Sequence, residues 1–169
     1  MVGRRQRKMG ERDRGKPHVA WELNMGGLYK TLEIARQERC AVFFPSSIAA
    51  FGPSTPRTRT PQDTLQRPTT MYGVTKVCSE RLGEYYHRRY GVNFRAVRFL
   101  SILGPGRVPG FGWSAYTSLV VEECAKGNPY VLKVNRDLRL RFIYVKDAAL
   151  SLMKLGDAPD AKLASRCYN

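Results

Sequence analysis

An apolar segment that ends abruptly in two serines is the feature that most restricts how this chain folds. Residues 41–44 read Ala-Val-Phe-Phe, and Pro45 then leads directly into Ser46 and Ser47. This pattern is typical of a buried parallel strand whose carboxyl end emerges at the edge of a sheet, which is where open α/β folds bind their ligands. The sequence therefore predicts an α/β fold with hydroxyl groups at its ligand-binding edge.

A tyrosine and a lysine follow in a predicted helix. Apolar residues recur at spacings of three and four from about Tyr72 to Tyr90, which favours an amphipathic helix. Tyr72 and Lys76 are four residues apart and so share one face of it. A phenol has an ordinary pKa of about 10, and a nearby ammonium lowers that pKa by favouring the phenolate. We therefore expect Lys76 to lower the pKa of Tyr72 and make it a general base.

The spacing of these groups resembles that of a known enzyme family. Ser47 lies 25 residues before Tyr72, as in the extended short-chain dehydrogenase/reductases, which include the NAD-dependent epimerases and dehydratases. Within that family the chain is most similar to the short-chain type of L-threonine 3-dehydrogenase. The resemblance covers residues 17–169 and implies a Rossmann-like parallel sheet flanked by helices. The matching segments are Trp21 to Tyr29, Pro45 to Pro53, Thr55 to Arg57, Thr60 to Gln62 and Pro68 to Gly73.

The resemblance implies roles for individual residues. Ser47, Tyr72 and Lys76 match the catalytic residues of an NAD-dependent enzyme that oxidises a secondary alcohol. Tyr72 and Lys76 would also contact the cofactor, with Ile102 behind its nicotinamide ring; plain apolar packing is the other reading of Ile102. The asparagine that matches Asn24 helps to organise the family's site, although a bond to local backbone would explain Asn24 equally well.

The expected substrate contacts depart from the threonine dehydrogenase pattern. Those enzymes typically show Gly-Gly-Thr-Thr-Asp-Tyr where this chain has Phe-Gly-Trp-Ser-Ala-Tyr at residues 111–116. A substrate ammonium would lose its carboxylate partner at Ala115, while Trp113 offers an aromatic face and Ser114 a hydroxyl. Two small-molecule substrates therefore stay open. One is L-threonine, oxidised to 2-amino-3-oxobutanoate, and the other is a nucleotide sugar, as in a UDP-glucose 4-epimerase-like epimerase or dehydratase.

A nucleotide-binding turn is missing from the segment before Ser46. A dinucleotide-binding half begins with a strand, a glycine-rich turn and a helix, with an acidic residue further on that distinguishes NAD from NADP. Gly3, Gly10 and Gly15 lie among arginines without a preceding apolar run. We therefore expect a sheet that lacks the N-terminal dinucleotide-binding half, in a chain truncated at both ends and impaired in activity. The choice between NAD and NADP stays open.

Residues 1–16 are rich in lysine and arginine and predict a disordered basic arm, followed by a partial epimerase/dehydratase domain at residues 17–169. The whole chain has 29 lysines and arginines against 14 aspartates and glutamates, a net charge of +15. A non-catalytic module that binds polyanions is therefore an alternative of a different class. A nucleic-acid partner is not favoured, because the sequence shows no basic motif interleaved with aromatic residues.

The remaining sequence features concern location and assembly. The sequence contains no run of 18 apolar residues, so it predicts no membrane span. The four cysteines, Cys40, Cys78, Cys124 and Cys167, are scattered without metal-type or redox-type pairing, so we expect no metal site and a cytoplasmic protein. Relatives commonly dimerise through the helix that carries the tyrosine and the lysine, so the resemblance also implies a homodimer.

Overall fold

The computed structural model describes residues 16–56, 58–106, 115–132, 134–135 and 137–169. Nearly all of the predicted basic arm, residues 1–15, lies outside this part of the chain. Two of the predicted substrate contacts, Trp113 and Ser114, also lie outside the described residues.

Helices and short parallel strands alternate through the described residues. A π-helical turn at Glu22–Gly26 joins α1 to α2, and 3-10 turns follow β1 at Ile48–Ala50 and precede β5 at Asp160–Lys162. The main elements are α1 (Pro17–Trp21), α2 (Gly27–Glu38), β1 (Val42–Ser47), α3 (Met71–Tyr90), β2 (Phe94–Phe99), β3 (Ser101–Leu103), α4 (Ala115–Ala125), β4 (Phe142–Tyr144), α5 (Val145–Asp157) and β5 (Cys167–Tyr168).

The strands form two small parallel sheets. The first has the order β1-β2-β5, and β1 pairs with β2 in a register that places Ser46 opposite Arg98 and Ser47 opposite Phe99. The second sheet pairs β3 with β4. Parallel strands flanked by helices confirm the predicted α/β, Rossmann-like class. Among the described residues no strand precedes β1, so β1 is an edge of its sheet.

Ser101–Leu103 form strand β3, which pairs with β4 about forty residues further along the chain. A pairing partner at that sequence distance is invisible to a local pattern.

Helix α3 is held at both ends by local signals. The Thr70 side chain accepts a hydrogen bond from the Gly73 backbone N–H at 3.0 Å, which satisfies a free donor of the first turn. At the other end Gly91 has a φ of 72°, the left-handed conformation that glycine adopts without strain. The helix predicted from about Tyr72 to Tyr90 is therefore confirmed to within a residue.

The core lies between the first sheet and helices α2 and α3. Leu32 of α2 and Phe94 of β2 are fully buried there. Helix α3 crosses directly over Phe94, because a Cβ atom at Gly83 would lie 2.2 Å from the ring's Cζ. This close approach fixes the height of α3 above the sheet, and it brings the first turn of α3 to the carboxyl end of β1.

A buried arginine attaches the second sheet's helix to the first sheet. Arg95 of β2 donates hydrogen bonds from Nη1 to the carbonyl oxygens of Leu155 (2.5 Å), Gly156 (3.1 Å) and Ala158 (2.7 Å). These carbonyls lie at the end of α5, where backbone acceptors have no partner within the helix. The guanidinium therefore caps α5 and holds it against β2.

None of the helices in the part of the chain described here is long and apolar enough to cross a membrane.

Candidate active site at the end of β1

The end of β1 and the start of α3 meet at very close range. After β1 the Ser47 side chain accepts a hydrogen bond from the Ala49 N–H at 3.2 Å and starts the 3-10 turn. A Cβ atom at Gly73 would lie 2.2 Å from the Ala49 carbonyl oxygen, so only glycine allows this approach. The residue next to that glycine, Tyr72, is thereby placed beside Ser47.

Ser47 and Tyr72 are in direct contact. Their side chains share a hydrogen bond, and the tyrosine is 37% exposed. The two residues predicted to bind and deprotonate a substrate hydroxyl therefore lie together, with one side of the phenol open to a ligand.

Lys76 lies on the same face of α3, one turn further along. Its Nζ donates a hydrogen bond to the Pro45 carbonyl oxygen at 2.7 Å. The ammonium also lies 4.5 Å from the ring centroid of Phe44 and 5.4 Å from that of Tyr72. Cation–π attraction and the backbone carbonyl both favour the charged form of the lysine here.

The electrostatics of this pair differ from the prediction. Burial raises the pKa of Tyr72, and the hydrogen bond with Ser47 offsets this only partly. Burial also lowers the pKa of Lys76, and the Glu80 carboxylate partly opposes that change. The expectation that Lys76 lowers the pKa of Tyr72 was wrong. Burial is the larger influence on the pKa of the phenol, and the Lys76 ammonium donates its hydrogen bond to the Pro45 carbonyl oxygen.

Ile102 and Asn24 are the two other residues that the sequence predicts at this site. Ile102 is partly buried on β3, which follows β2 beyond the residue opposite Ser47. The Asn24 side chain donates to the Thr75 hydroxyl at 3.1 Å, and that hydroxyl donates to the Tyr72 carbonyl oxygen at 2.8 Å. Asn24 thus bonds across to the turn that carries Tyr72, not to local backbone. Sequence reasoning missed Thr75, whose only signal was its place between the tyrosine and the lysine.

A cavity of about 920 Å³ opens beside β3. Its walls come from β3, α4 and the segment before β4, and they are largely aliphatic. The polar groups on the walls include Thr117, Asn135 and Arg139. The apolar ones include Leu103, Val120, Val121, Leu132, Val134, Leu138, Leu140 and Phe142. Mostly apolar walls with a few polar groups are typical of small-molecule sites.

Comparison with known proteins assigns this arrangement to a family. The sequence model of the NAD dependent epimerase/dehydratase family matches residues 8–169. The chain belongs to that family. An uncharacterized epimerase/dehydratase of Staphylococcus aureus (strain USA300) is 43% identical over 150 residues, which are 89% of this chain and 47% of the relative. The chain therefore spans about half the length of the curated relatives it matches.

Solved structures of L-threonine dehydrogenases are similar to the chain in both sequence and fold. The enzyme from Phytophthora infestans is 42% identical with a TM-score of 0.87, over 94% of this chain and 52% of that one. The enzyme from Clostridium difficile is 45% identical with a TM-score of 0.86, over 91% and 48%. A UDP-N-acetylglucosamine 4-epimerase from Methanobrevibacter ruminantium, at 20% identity and a TM-score of 0.76 over 92% and 50%, shares the fold.

Membership of this family implies a nicotinamide dinucleotide cofactor, and the residues at the end of β1 fit part of one. Lys76 and Tyr72 supply an ammonium and a phenol that suit the hydroxyls of a ribose, and Ile102 supplies an apolar surface on β3. Within the described residues no group of three or more histidines, cysteines, aspartates or glutamates is placed to hold a metal ion.

Proposed function

We propose that this chain carries the proton-transfer groups of an NAD-dependent oxidoreductase that acts on a secondary alcohol. The observation that supports this most is the hydrogen bond between Ser47 and Tyr72, with Lys76 within 5.4 Å of the phenol ring. L-Threonine is the first candidate substrate and 2-amino-3-oxobutanoate its product, because the structural relatives at 37–45% identity include several L-threonine dehydrogenases.

The proposed chemistry divides the work among three side chains. Ser47 donates a hydrogen bond to the reacting oxygen of the alcohol and orients it toward Tyr72. The phenolate of Tyr72 accepts the hydroxyl proton as the alcohol carbon becomes a carbonyl. Lys76 stabilises the developing negative charge and binds the ribose hydroxyls. When bound, NAD⁺ supplies the acceptor for the hydride that leaves the same carbon.

A nucleotide sugar is the second candidate substrate, and the residue at position 115 favours it. Ala115 lacks the carboxylate that would pair with a substrate ammonium. The cavity beside β3 has a volume of about 920 Å³, more than threonine would fill, and Arg139 on its wall would donate to a phosphate oxygen of a ligand bound there.

We predict that Ala115→Asp separates the two substrates. A carboxylate at this position restores a charge-assisted bond to an amino acid's ammonium, so kcat/KM for L-threonine should rise about tenfold, while that for a nucleotide sugar should not rise. The measurement is NADH formation at 340 nm with L-threonine and product formation by chromatography with the nucleotide sugar, and Ala115→Asn is the uncharged control. An equal change for both substrates, or none for threonine, would argue against threonine as the substrate.

The raised pKa of Tyr72 predicts a one-sided pH dependence. A higher pKa leaves less phenolate at a given pH, and alcohol oxidation needs the phenolate. We therefore expect kcat/KM for oxidation to climb steadily with pH and to be still rising at about pH 10, the ordinary pKa of a phenol. Carbonyl reduction needs the protonated phenol and should be flat across neutral pH. An oxidation profile that levels off below pH 8 would contradict the burial of Tyr72 seen here.

A further inference from the structure

A buried ion pair lies one helical turn beyond Lys76. Glu80 of α3 is 0% exposed and Arg98 of β2 is 5% exposed. The Arg98 Nη2 donates to the Glu80 Oε2 at 2.9 Å, and its Nε lies 3.1 Å from both carboxylate oxygens. Taking two charges out of water is costly, and a pair of apolar residues of similar size often stabilises a core equally well. The pair therefore needs an explanation other than stability.

Three successive turns of α3 reach three consecutive residues of β1. Tyr72 hydrogen-bonds with Ser47, Lys76 bonds to the Pro45 carbonyl oxygen, and Glu80 accepts a hydrogen bond from the Ser46 hydroxyl. These α3 residues are spaced four apart and so lie on one helix face. Glu80 is thus the third member of a row that already contains the two proposed catalytic residues of α3.

The same carboxylate also holds the loop that leads into α3. The Gln66 side chain donates to the Glu80 Oε2 at 2.8 Å. Arg98 lies opposite Ser46 in the sheet register, and its Nη1 donates to the Asn169 side-chain oxygen at 2.9 Å. Glu80 therefore joins the end of β1, the loop before Tyr72 and the neighbouring strand at one point.

We propose that Glu80 and Arg98 are positioning residues for this site, which set the placement of Ser47 and Lys76 against Tyr72 by fixing the end of β1 to α3. The inference rests on the proposed function, since it assigns these residues to the same site. A supporting observation is electrostatic. Burial lowers the pKa of Lys76, and the Glu80 carboxylate opposes that change, which favours the ammonium. The groups around the ammonium are Pro45, Phe44 and Tyr72.

The test replaces the pair without leaving a buried charge. Glu80→Met/Arg98→Met keeps the volume apolar, and a thermal melt by circular dichroism reports whether the variant folds. We expect a folded variant whose kcat with NAD⁺ and the better substrate falls about tenfold, with KM for that substrate little changed. Lys76, followed by NMR after reductive ¹³C-methylation and assigned with Lys76→Arg, should titrate at lower pH than in the wild-type chain.

Two further variants keep the proposal falsifiable. Ser46→Ala cuts only the link between Glu80 and β1 and barely changes volume, so it should fold and lower kcat about threefold or more. Glu122→Gln in the exposed pair with Lys126 on α4 should change nothing. The proposal would be overturned if a folded Met/Met variant kept the wild-type kcat. If Met/Met does not fold, a wild-type kcat in Ser46→Ala would overturn it.

The experiment separates failure of this inference from failure of the proposed function. If the wild-type chain shows no turnover, the proposed function fails, and the Lys76 titration then decides the inference alone. A lower Lys76 pKa in the Met/Met variant, or in Glu80→Gln should Met/Met not fold, supports the positioning role. An unchanged Lys76 titration overturns it.

Discussion

Tyr72→Phe is expected to remove alcohol oxidation while leaving the fold in place. The substitution deletes only the hydroxyl that bonds with Ser47, and the partly exposed ring keeps its contacts. Loss of a positioned general base typically lowers a rate 10²–10⁴-fold, so we expect kcat to fall by at least about 10²-fold. Steady-state NADH formation at 340 nm measures the rate, and calorimetry with NAD⁺ measures binding.

Tyr85→Phe is the matched control for this experiment. Tyr85 lies on the same helix, is 46% exposed and packs edge-on against Tyr86 and Tyr90, away from Ser47. Removing its hydroxyl should leave kcat unchanged. If Tyr72→Phe and Tyr85→Phe behaved alike, Tyr72 would not be the base.

The second large effect is expected at Gly73. A Cβ atom there would lie 2.2 Å from the Ala49 carbonyl oxygen and 2.6 Å from the Pro68 Cβ, and the Ala49 backbone cannot yield as a flexible side chain does. Overpacking of this kind costs about 1–3 kcal/mol, against a gain of about 1 kcal/mol in helix propensity for alanine. We therefore expect Gly73→Ala to lower the free energy of unfolding by about 1–2 kcal/mol.

Because Gly73→Ala also separates Tyr72 from Ser47, kcat should fall by up to about 10²-fold. Urea unfolding gives the stability and NADH formation gives the rate. Gly27→Ala is the control, since a Cβ atom there meets nothing within 4 Å. That substitution should stabilise α2 by about 0.5–1 kcal/mol, because alanine is the better helix former. The same sign of stability change at Gly73 and Gly27 would contradict the close contact between α3 and β1.

The sequence predicted those parts of the fold around the candidate site that residues close together in the chain determine. The apolar run into Ser46 and Ser47 predicts a strand end, the Tyr72 helix has a readable periodicity, and Gly91 marks its stop. Parallel pairing then brings strand ends to one edge.

What the sequence could not predict depends on contacts between distant segments. The pKa of Tyr72 follows from burial, which no local pattern reports, so charge reasoning from Lys76 gave the wrong direction. The bond from Asn24 to Thr75 and the pair of Glu80 with Arg98 likewise join elements that only the fold brings together. Gly26 and Gly27 lie where the helix changes from π to α hydrogen bonding, with open space beside them, which is likewise visible only in the fold.

The central claim is that Ser47, Tyr72 and Lys76 form a working site for NAD-dependent alcohol oxidation. The most direct measurement mixes the purified chain, at a concentration above that of NAD⁺, with NAD⁺ and either L-threonine or a nucleotide sugar. Absorbance at 340 nm reports oxidation of threonine, and chromatography reports conversion of the nucleotide sugar, because an epimerase or dehydratase returns the hydride to the sugar and accumulates no NADH. We expect slow turnover of one of the two substrates, absent in Tyr72→Phe. A folded wild-type chain that converts neither substrate, or that converts one equally well without the Tyr72 hydroxyl, would contradict the claim.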